Sequence, residues 1–249
     1  MQWPCSCPCC ATIVWGLLSP AEDFPQKPLY VSNLARTLTN LASALQAAGK
    51  LPEADDAYRQ AVRLAEKLVE QYPTSPAYQS DLGASQNNLA DFLLGQGQPA
   101  AARQLLEQAI LHQQVALSAV PKHPEYRKFL GNHYRNLAEA ALGLRDHAAA
   151  VEAALELPRL LPDDWEEYHR AATLLARAIP LAATDMSLTE QKRSELAEAY
   201  AVRAVQVLRQ AIAKGLKDAG RLQEPQLFQT LSSREDFQRL FADLSPGRR

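Results

Sequence analysis

Cysteine is absent from most of this chain. All four cysteines of the 249-residue sequence lie within six positions, at Cys5, Cys7, Cys9 and Cys10. A secreted domain that depends on disulfides spreads its cysteines through the fold. The lack of cysteine after Cys10 therefore excludes a disulfide scaffold for the body of the protein, and it favours a reducing, cytoplasmic location.

The sequence also lacks an excess of charge of one sign and any long apolar run. Its 26 basic and 28 acidic residues are interleaved and give a formal net charge of −2. A nucleic-acid-binding protein usually carries a basic excess that displaces counterions from phosphates. No run of 18 or more apolar residues is present, so no membrane span is predicted. Nucleic acid is therefore not an expected partner.

Aromatic residues are scarce as well, at 7% of the chain, while apolar residues reach 47%. The apolar set is dominated by alanine and leucine, which lose little side-chain freedom in a helix. The composition therefore predicts a folded, all-α protein with a sizeable core.

Residues 1–28 match nothing later in the chain, and three interpretations of them remain open. The segment Ala11–Leu18 is apolar but short, and no Lys or Arg precedes Lys27, which argues against a signal peptide. The cysteine cluster could bind Cu(I) or zinc, although its spacing is poor for a metal site. We predict a disordered leader with no metal, and this segment need not be the true start of the protein.

A repeat of 48 residues organises the chain after residue 28. It is marked by three recurring features: Tyr30, Tyr78 and Tyr126; the Asn-Leu-Ala segments that begin at Asn40, Asn88 and Asn136; and the pairs Pro73/Pro76 and Pro121/Pro124. We predict three repeats over 29–162 (29–76, 77–124 and 125–162), a helical closing segment over 163–244 and a tail over 245–249. The first 28 residues form the separate leader.

Each repeat is predicted to contain two helices, A and B. In the first, Leu34, Leu38, Leu41 and Leu45 recur at helical spacing in helix A. Gly49 suits a left-handed C-cap and Pro52 the first turn of helix B. Small residues at Ala42, Ala54 and Ala61 would let the two helices cross closely.

The third repeat and the closing segment depart from this pattern. Pro158 interrupts the third helix B, so we expect a shorter or kinked helix from His147 to about Leu160. Asp163 or Asp164 can cap a helix from about Trp165, and Ser187 with Glu190 is interpreted as a capping box for a long helix reaching Lys214. A last helix, beginning at Ser232, would dock Phe237, Leu240 and Phe241 inward and close the repeat array.

The order Leu41, Ala42, Leu45, Ala54, Tyr58 and Ala61 resembles the tetratricopeptide repeat, with helices longer than the usual unit. The Asn-Leu-Ala segment with a long helix B is similar to the repeats of kinesin light chains. Residues 85–90, 53–61, 204–215 and 234–237 resemble the repeat tails of planctomycete-type bacterial serine/threonine kinases. The resemblance, over about 29–244, implies an α-solenoid of antiparallel helix pairs, a right-handed superhelix, with a C-terminal helical cap.

Signatures of catalysis are missing from the sequence. It has no glycine-rich phosphate loop, no His-Arg-Asp or Asp-Phe-Gly segment and no Walker A sequence. The five histidines, at 112, 123, 133, 147 and 169, form no metal-binding pattern. We therefore predict a protein that is not an enzyme and needs no cofactor or metal.

The expected function is to bind a protein or peptide whose identity the sequence does not give. The A helices of such repeats line the concave face, so Asn40, Asn88 and Asn136 should form a ladder that grips an extended peptide backbone with amide donors and acceptors. Kinesin light chain-like repeats imply the same role. Four further residues are predicted on this face: Arg36, Asn87, Asn132 and Arg135. Two alternatives remain: each asparagine orders its own repeat, or the chain is a detached or truncated docking region of a bacterial kinase.

Overall fold

The structure, a computed structural model, describes residues 27–222 and 228–244, and these residues contain nine α-helices and no strand. The helices are α1 (Pro28–Ala47), α2 (Leu51–Gln71), α3 (Pro76–Gly95), α4 (Pro99–Ala119), α5 (Pro124–Gly143), α6 (His147–Leu160), α7 (Trp165–Ala183), α8 (Glu190–Ala213) and α9 (Glu235–Leu244). Two short 3-10 segments, Ala219–Leu222 and Gln229–Leu231, lie between α8 and α9. The predicted leader and tail lie outside the described residues, apart from Lys27 and Pro28.

Local sequence signals set the helix boundaries. Each of the first five helices has a proline in its first two positions, where the missing N–H group costs no hydrogen bond. Gly49 and Gly97 adopt the left-handed backbone predicted for the turns from helix A to helix B, with φ of 74° and 69°. The third turn has Arg145 in the same register, with φ of 60°.

The helices pack as four antiparallel pairs within the described residues: α1/α2, α3/α4, α5/α6 and α7/α8. The first helix of each pair, here called an A helix, also packs against the A helix of the next pair. Ala42, Ala54 and Ala61 are buried at the crossings, as predicted from their size. The all-α solenoid expected from the sequence is confirmed.

Leu41 is an exception to the predicted apolar face of α1. Its side chain is 46% exposed, whereas Leu89, at the same position of the next repeat, is 3% exposed. The reason is that α2 packs against α3, while no helix precedes α1 within the described residues. A position that is apolar in both repeats is therefore buried in only one of them.

The third B helix is short, as Pro158 predicted. It has 14 residues against 21 in α2 and α4, and Pro158 lies two residues before its end at Leu160. Asp146 caps its start by accepting a hydrogen bond from the Ala149 amide at 3.0 Å. The helix thus begins in register with its counterparts and ends seven residues early.

Two helix caps were predicted in the closing segment. The cap at the start of α7 agrees with the structure, and the cap at the start of α8 does not. Asp164 caps α7 as expected, accepting from the Glu166 amide at 3.0 Å. The capping box at Ser187 is wrong, because Thr189 accepts from the Lys192 amide and begins α8. The Ser187 hydroxyl donates to Asp185 instead, at 2.7 Å, within the preceding turn.

The residues after α8 fold back over α7, on the side where a further pair of helices would extend the array. Phe228, Leu231, Phe237 and Leu240 are buried in the same cluster as α7 and α8. Thr230 donates a hydrogen bond to the carbonyl of Ala176 at 3.3 Å. A further pair of helices would pack against this side of α7, so the folded-back segment covers the surface that the array would otherwise leave open.

Among the described residues, no helix is both long and apolar enough to cross a membrane.

Candidate functional site

The A helices α1, α3, α5 and α7 together form one surface, here called the A-helix surface. The predicted ladder lies on it, but its three asparagines have different environments. Asn40 is exposed, Asn88 is half-buried and Asn136 is buried. Identical residues in the same register therefore do not have the same freedom to bind a ligand.

The side chain of Asn136 is already hydrogen-bonded to a neighbouring side chain. Its side-chain amide donates to the side-chain carbonyl of Asn87 at 3.2 Å, which joins α5 to α3. Only 7% of Asn136 is exposed. This bond uses a donor of Asn136 and the acceptor of Asn87, as expected if asparagines in this register order the repeat.

The equivalent position between α1 and α3 is open. Thr39 replaces Asn87 in register and faces Asn88 across a cleft of about 490 Å³. The Thr39 hydroxyl donates to the carbonyl of Ala35 in its own helix, at 3.1 Å. The side chains of Asn40 and Asn88 have no hydrogen bond among the described residues. We call this space the α1/α3 cleft; it is lined chiefly by Thr39, Asn40, Ser43, Tyr58, Asn88 and Asp91.

The charge of the α1/α3 cleft comes from one carboxylate. Asp91 is exposed and forms no ion pair among the described residues, and no Lys or Arg lines the cleft. Burial raises the pKa of the Tyr58 hydroxyl, with a smaller contribution from the charge of Asp91. The cleft therefore combines uncharged donors and acceptors with a single negative charge, which favours a cationic ligand group.

A second carboxylate on the A-helix surface has a structural role. The Ser32 hydroxyl donates to Asp81 at 2.8 Å, linking α1 to α3. Burial raises the pKa of Asp81, and the Ser32 hydroxyl and the Arg36 guanidinium oppose this rise. Arg36 is thus close to an acid of its own chain, although it forms no direct ion pair there.

The other predicted residues are spread along the surface. Asn132 and Arg135 on α5 are half-buried, and neither lines the α1/α3 cleft. Next to them, Arg177 of α7 forms a two-pronged ion pair with Glu139 of α5, with Nη2 and Oε2 2.8 Å apart. The seven predicted residues therefore do not all line one cleft.

The sequence interpretation missed Ser43 and Asp91, and a signal for them was present. Ser43, Asp91 and Glu139 are 48 residues apart and follow each ladder asparagine by three positions. Residues three apart in a helix share a face. A polar residue there in every repeat indicates the same surface as the asparagines.

A second, more apolar cleft of about 740 Å³ lies at the C-terminal ends of α3, α5 and α7. Leu94, Leu142, Pro180 and Leu181 line it, and the segment after α8 contributes Thr230. It adjoins the Glu139–Arg177 ion pair. Because the two charges neutralise each other, this cleft offers mainly apolar contact.

The histidines serve packing and capping. His123 accepts from the Tyr126 amide at the start of α5, and His169 contacts the Arg221 carbonyl at 3.1 Å. His147 lies between Tyr200 and Asp185, and His112 contacts Gln79 at 2.7 Å. No group of three potential metal ligands occurs in the described part of the chain. The cysteine cluster lies outside it.

His133 is the exception, since neither of its ring nitrogens has a hydrogen-bond partner in the described part of the chain. It is 1% exposed, and burial lowers its pKa to about 3. The carbonyl oxygen of the Gln86 side chain is also buried without a partner. His133 is on α5 and Gln86 is on α3, and neither residue lines either cleft.

Comparison with known families identifies the repeat. Residues 34–77 and 82–125 each match the tetratricopeptide repeat family. The two matches cover α2 and α4 in full, and α1 and α3 except for residues 28–33 and 78–81. They support a tetratricopeptide-type repeat protein. No curated protein matches the chain.

Proposed function

We propose that this protein binds an extended segment of another protein along its A-helix surface, with the α1/α3 cleft as the principal contact. Tetratricopeptide repeats generally mediate interactions between proteins, and the matched repeats include both helices that form this cleft. The observation that carries the proposal is the difference between two equivalent positions: Asn136 is bonded to Asn87, whereas Asn88 faces Thr39 across open space.

The chemistry of the cleft suits a peptide backbone. Asn40 and Asn88 each offer an amide donor and an acceptor that no group in residues 27–222 or 228–244 uses. An extended chain presents unpaired N–H and C=O groups along its length. Two amides on neighbouring A helices can therefore bind the peptide backbone regardless of its side chains.

Asp91 adds a preference to this contact. Its carboxylate is exposed and unpaired among the described residues. A Lys or Arg on the ligand could form a charge-assisted hydrogen bond with it. We expect a ligand with a basic residue near the backbone portion that occupies the cleft, and weaker binding as salt concentration rises.

Arg36, Asn132 and Arg135 are assigned a secondary role along the same surface. They are too dispersed to define the contact, but they can extend it beyond the cleft in either direction. Asn87 and Asn136 are already joined by a hydrogen bond and Asn136 is buried, so we expect less direct ligand contact from them than from Asn40 and Asn88.

The test uses a displayed library of short, unstructured peptides, from which binders to the full chain are selected and their affinities measured. Asn40→Ala with Asn88→Ala should weaken the selected peptides at least tenfold, and Asp91→Asn should weaken those with a basic residue. Gln104→Ala, an exposed amide on α4, is the matched control and should have no effect.

Circular dichroism first establishes that each variant remains helical. Selected peptides that bind the Asn40/Asn88 variant as tightly as the unaltered protein would show that the cleft is not the contact. Failure to select any peptide would contradict the proposal that an extended segment is the ligand.

A further inference from the structure

The second half of α4 carries an exposed face without charge. Residues 108–120 contain no Asp, Glu, Lys or Arg. Within this stretch Leu111 is 63% exposed and Val115 is 48% exposed. Gln108, Ser118 and Ala119 share the same side of the helix and are also exposed. We call these five residues the α4 stripe.

The same helix face in the first repeat is charged. Counting back 48 residues gives three exposed charged side chains in place of members of the stripe: Arg63 for Leu111, Lys67 for Val115 and Glu70 for Ser118. Both faces point to solvent, so stacking of the repeats requires neither composition. The loss of charge on α4 therefore needs an explanation outside the repeat itself.

The next repeat also leaves this part of α4 without a counterpart. Since α6 begins at His147, in register with Pro99 of α4, its last residue Leu160 corresponds to His112. The final seven residues of α4 have no equivalent in α6. The shorter helix gives a partner room to approach the α4 stripe.

We propose that the α4 stripe is a self-association surface, on which a second copy of this chain packs its own α4 about a two-fold axis. A two-fold axis brings the same patch of each copy together, so the patch must be complementary to itself. An uncharged face meets this condition, because it places no like charges opposite each other. The face of α2, with Arg63 and Lys67, would meet its own cations.

The net charge of the whole protein permits two copies to approach each other. The formal net charge is only −2, so long-range repulsion between two copies is weak. The stripe is about 18 Å long, since Gln108 to Ala119 spans 12 residues at 1.5 Å each. One helix face is small compared with the roughly 800 Å² per partner of a standard interface. We therefore expect a weak dimer that forms at micromolar or higher concentration.

The arrangement leaves the proposed ligand surface available. The stripe is on a B helix, whereas the α1/α3 cleft is formed mainly by the A helices. A dimer would carry two clefts and could bind two segments of one partner with increased avidity. Self-association does not depend on what occupies the cleft.

Sedimentation velocity of the full chain over a wide concentration range tests the proposal, with a reductant present to prevent cross-linking through the four cysteines. We expect the mass to rise from monomer to dimer. The double variant Leu111→Arg/Val115→Lys introduces the residues that α2 carries in register, and it should remain monomeric at concentrations where the unaltered chain dimerises. Met186→Lys, a change from apolar to charged at a residue 83% exposed between α7 and α8, should dimerise like the unaltered chain.

A milder variant guards against a loss of folding. Leu111→Gln removes apolar contact without adding charge, and it should raise the dimer dissociation constant about tenfold. A monomer at every concentration would overturn the proposal. So would a dimer that survives both stripe variants, because its interface would then lie elsewhere.

Discussion

The side-chain amide of Asn136 donates a hydrogen bond to the side-chain carbonyl of Asn87, at 3.2 Å, and thereby joins α5 to α3. Ser32 and Asp81 join α1 to α3 in the same way, at 2.8 Å. The two residues of each bond are 49 positions apart. Polar side chains thus tie successive A helices together across a surface that the sequence suggested was reserved for a ligand.

The first prediction concerns the stability that this bond provides. Asn136→Ala should lower the free energy of unfolding by about 1–3 kcal/mol, because it leaves the Asn87 carbonyl without its partner. Asn40→Ala, at an exposed position, should change it by less than about 0.5 kcal/mol. Urea denaturation measures both. Equal effects of the two substitutions would contradict a structural role for the Asn87–Asn136 bond.

A second prediction concerns a substitution that would give the α1/α3 cleft a hydrogen bond like the one between Asn87 and Asn136. Thr39→Asn should bring an amide within reach of Asn88 and raise the free energy of unfolding by about 0.5–1 kcal/mol. It should also weaken ligand binding, since Asn88 would then have an internal partner. Denaturation and peptide binding measured on the same preparation check this. A variant that is stabilised yet binds as before would remove Asn88 from the contact.

Close packing of α3 against α4 leads to a third prediction. A Cβ at Gly83 would lie 3.0 Å from the backbone oxygen of Ala109 and 3.3 Å from Nε2 of His133. Gly83→Ala should therefore lower the free energy of unfolding by about 1–3 kcal/mol, despite the better helix propensity of alanine.

Gly95 provides the comparison, because a Cβ there would have no neighbour within 4 Å. Gly95→Ala should be neutral or stabilising, by up to about 1 kcal/mol. Thermal or urea unfolding distinguishes the two substitutions. If both stabilise the protein, α3 and α4 can separate slightly at no cost.

His133 gives a fourth prediction, on pH. Burial lowers its pKa to about 3, against about 6.5 in an unfolded chain. The unfolded state then binds the proton more readily, so the contribution to stability is complete above pH 6.5 and is lost as pH falls towards 3. The free energy of unfolding should fall by about 2 kcal/mol between pH 6.5 and pH 5 from this group.

His133→Leu should remove that part of the pH dependence. His112 is a smaller source of the same behaviour, since burial also lowers its pKa. Gly95→Ala, which changes no titratable group, serves as the control and should keep the full slope. An unchanged slope in His133→Leu would mean that the imidazole is not held neutral in the fold.

The third turn between helices A and B gives a fifth prediction. Arg145 has a left-handed backbone, where Gly49 and Gly97 occupy the same place in their repeats. Arg145→Gly should raise the free energy of unfolding by about 1 kcal/mol, because glycine adopts this conformation without a steric penalty. It also removes an exposed hydrogen bond to Thr184, which reduces the gain. Gly97→Ala should have the opposite sign in the same assay.

Most of the fold could be predicted because it is encoded by short-range signals. Prolines and glycines gave the helix boundaries, and alanines at Ala42, Ala54 and Ala61 gave the crossings. The likeness to kinesin light chains and to kinase tails stays a prediction, since the family comparison bears on the repeat type alone. The compartment stays a prediction for the same reason.

The candidate site could be predicted only in part, because the repeat pattern does not show what lies opposite each residue. Asn88 and Asn136 are identical in register, but one faces threonine and the other asparagine, and this neighbour decides which one is open. Leu41 and Leu89 differ for a similar reason. His133 gave no sequence signal of its burial, since its counterparts in register are Thr37 and Ser85.

The span of 49 positions between bonded residues exceeds the repeat by one. The A helix of each repeat therefore carries one bonding residue on the side facing the preceding A helix and another on the side facing the next A helix. Recombination that adds or removes 48 residues would restore the register of the helices at the junction, although not the identity of each facing side chain, whereas any other length would rotate the following helices out of register. Genes of this kind can therefore change length in whole repeats and still encode a continuous core.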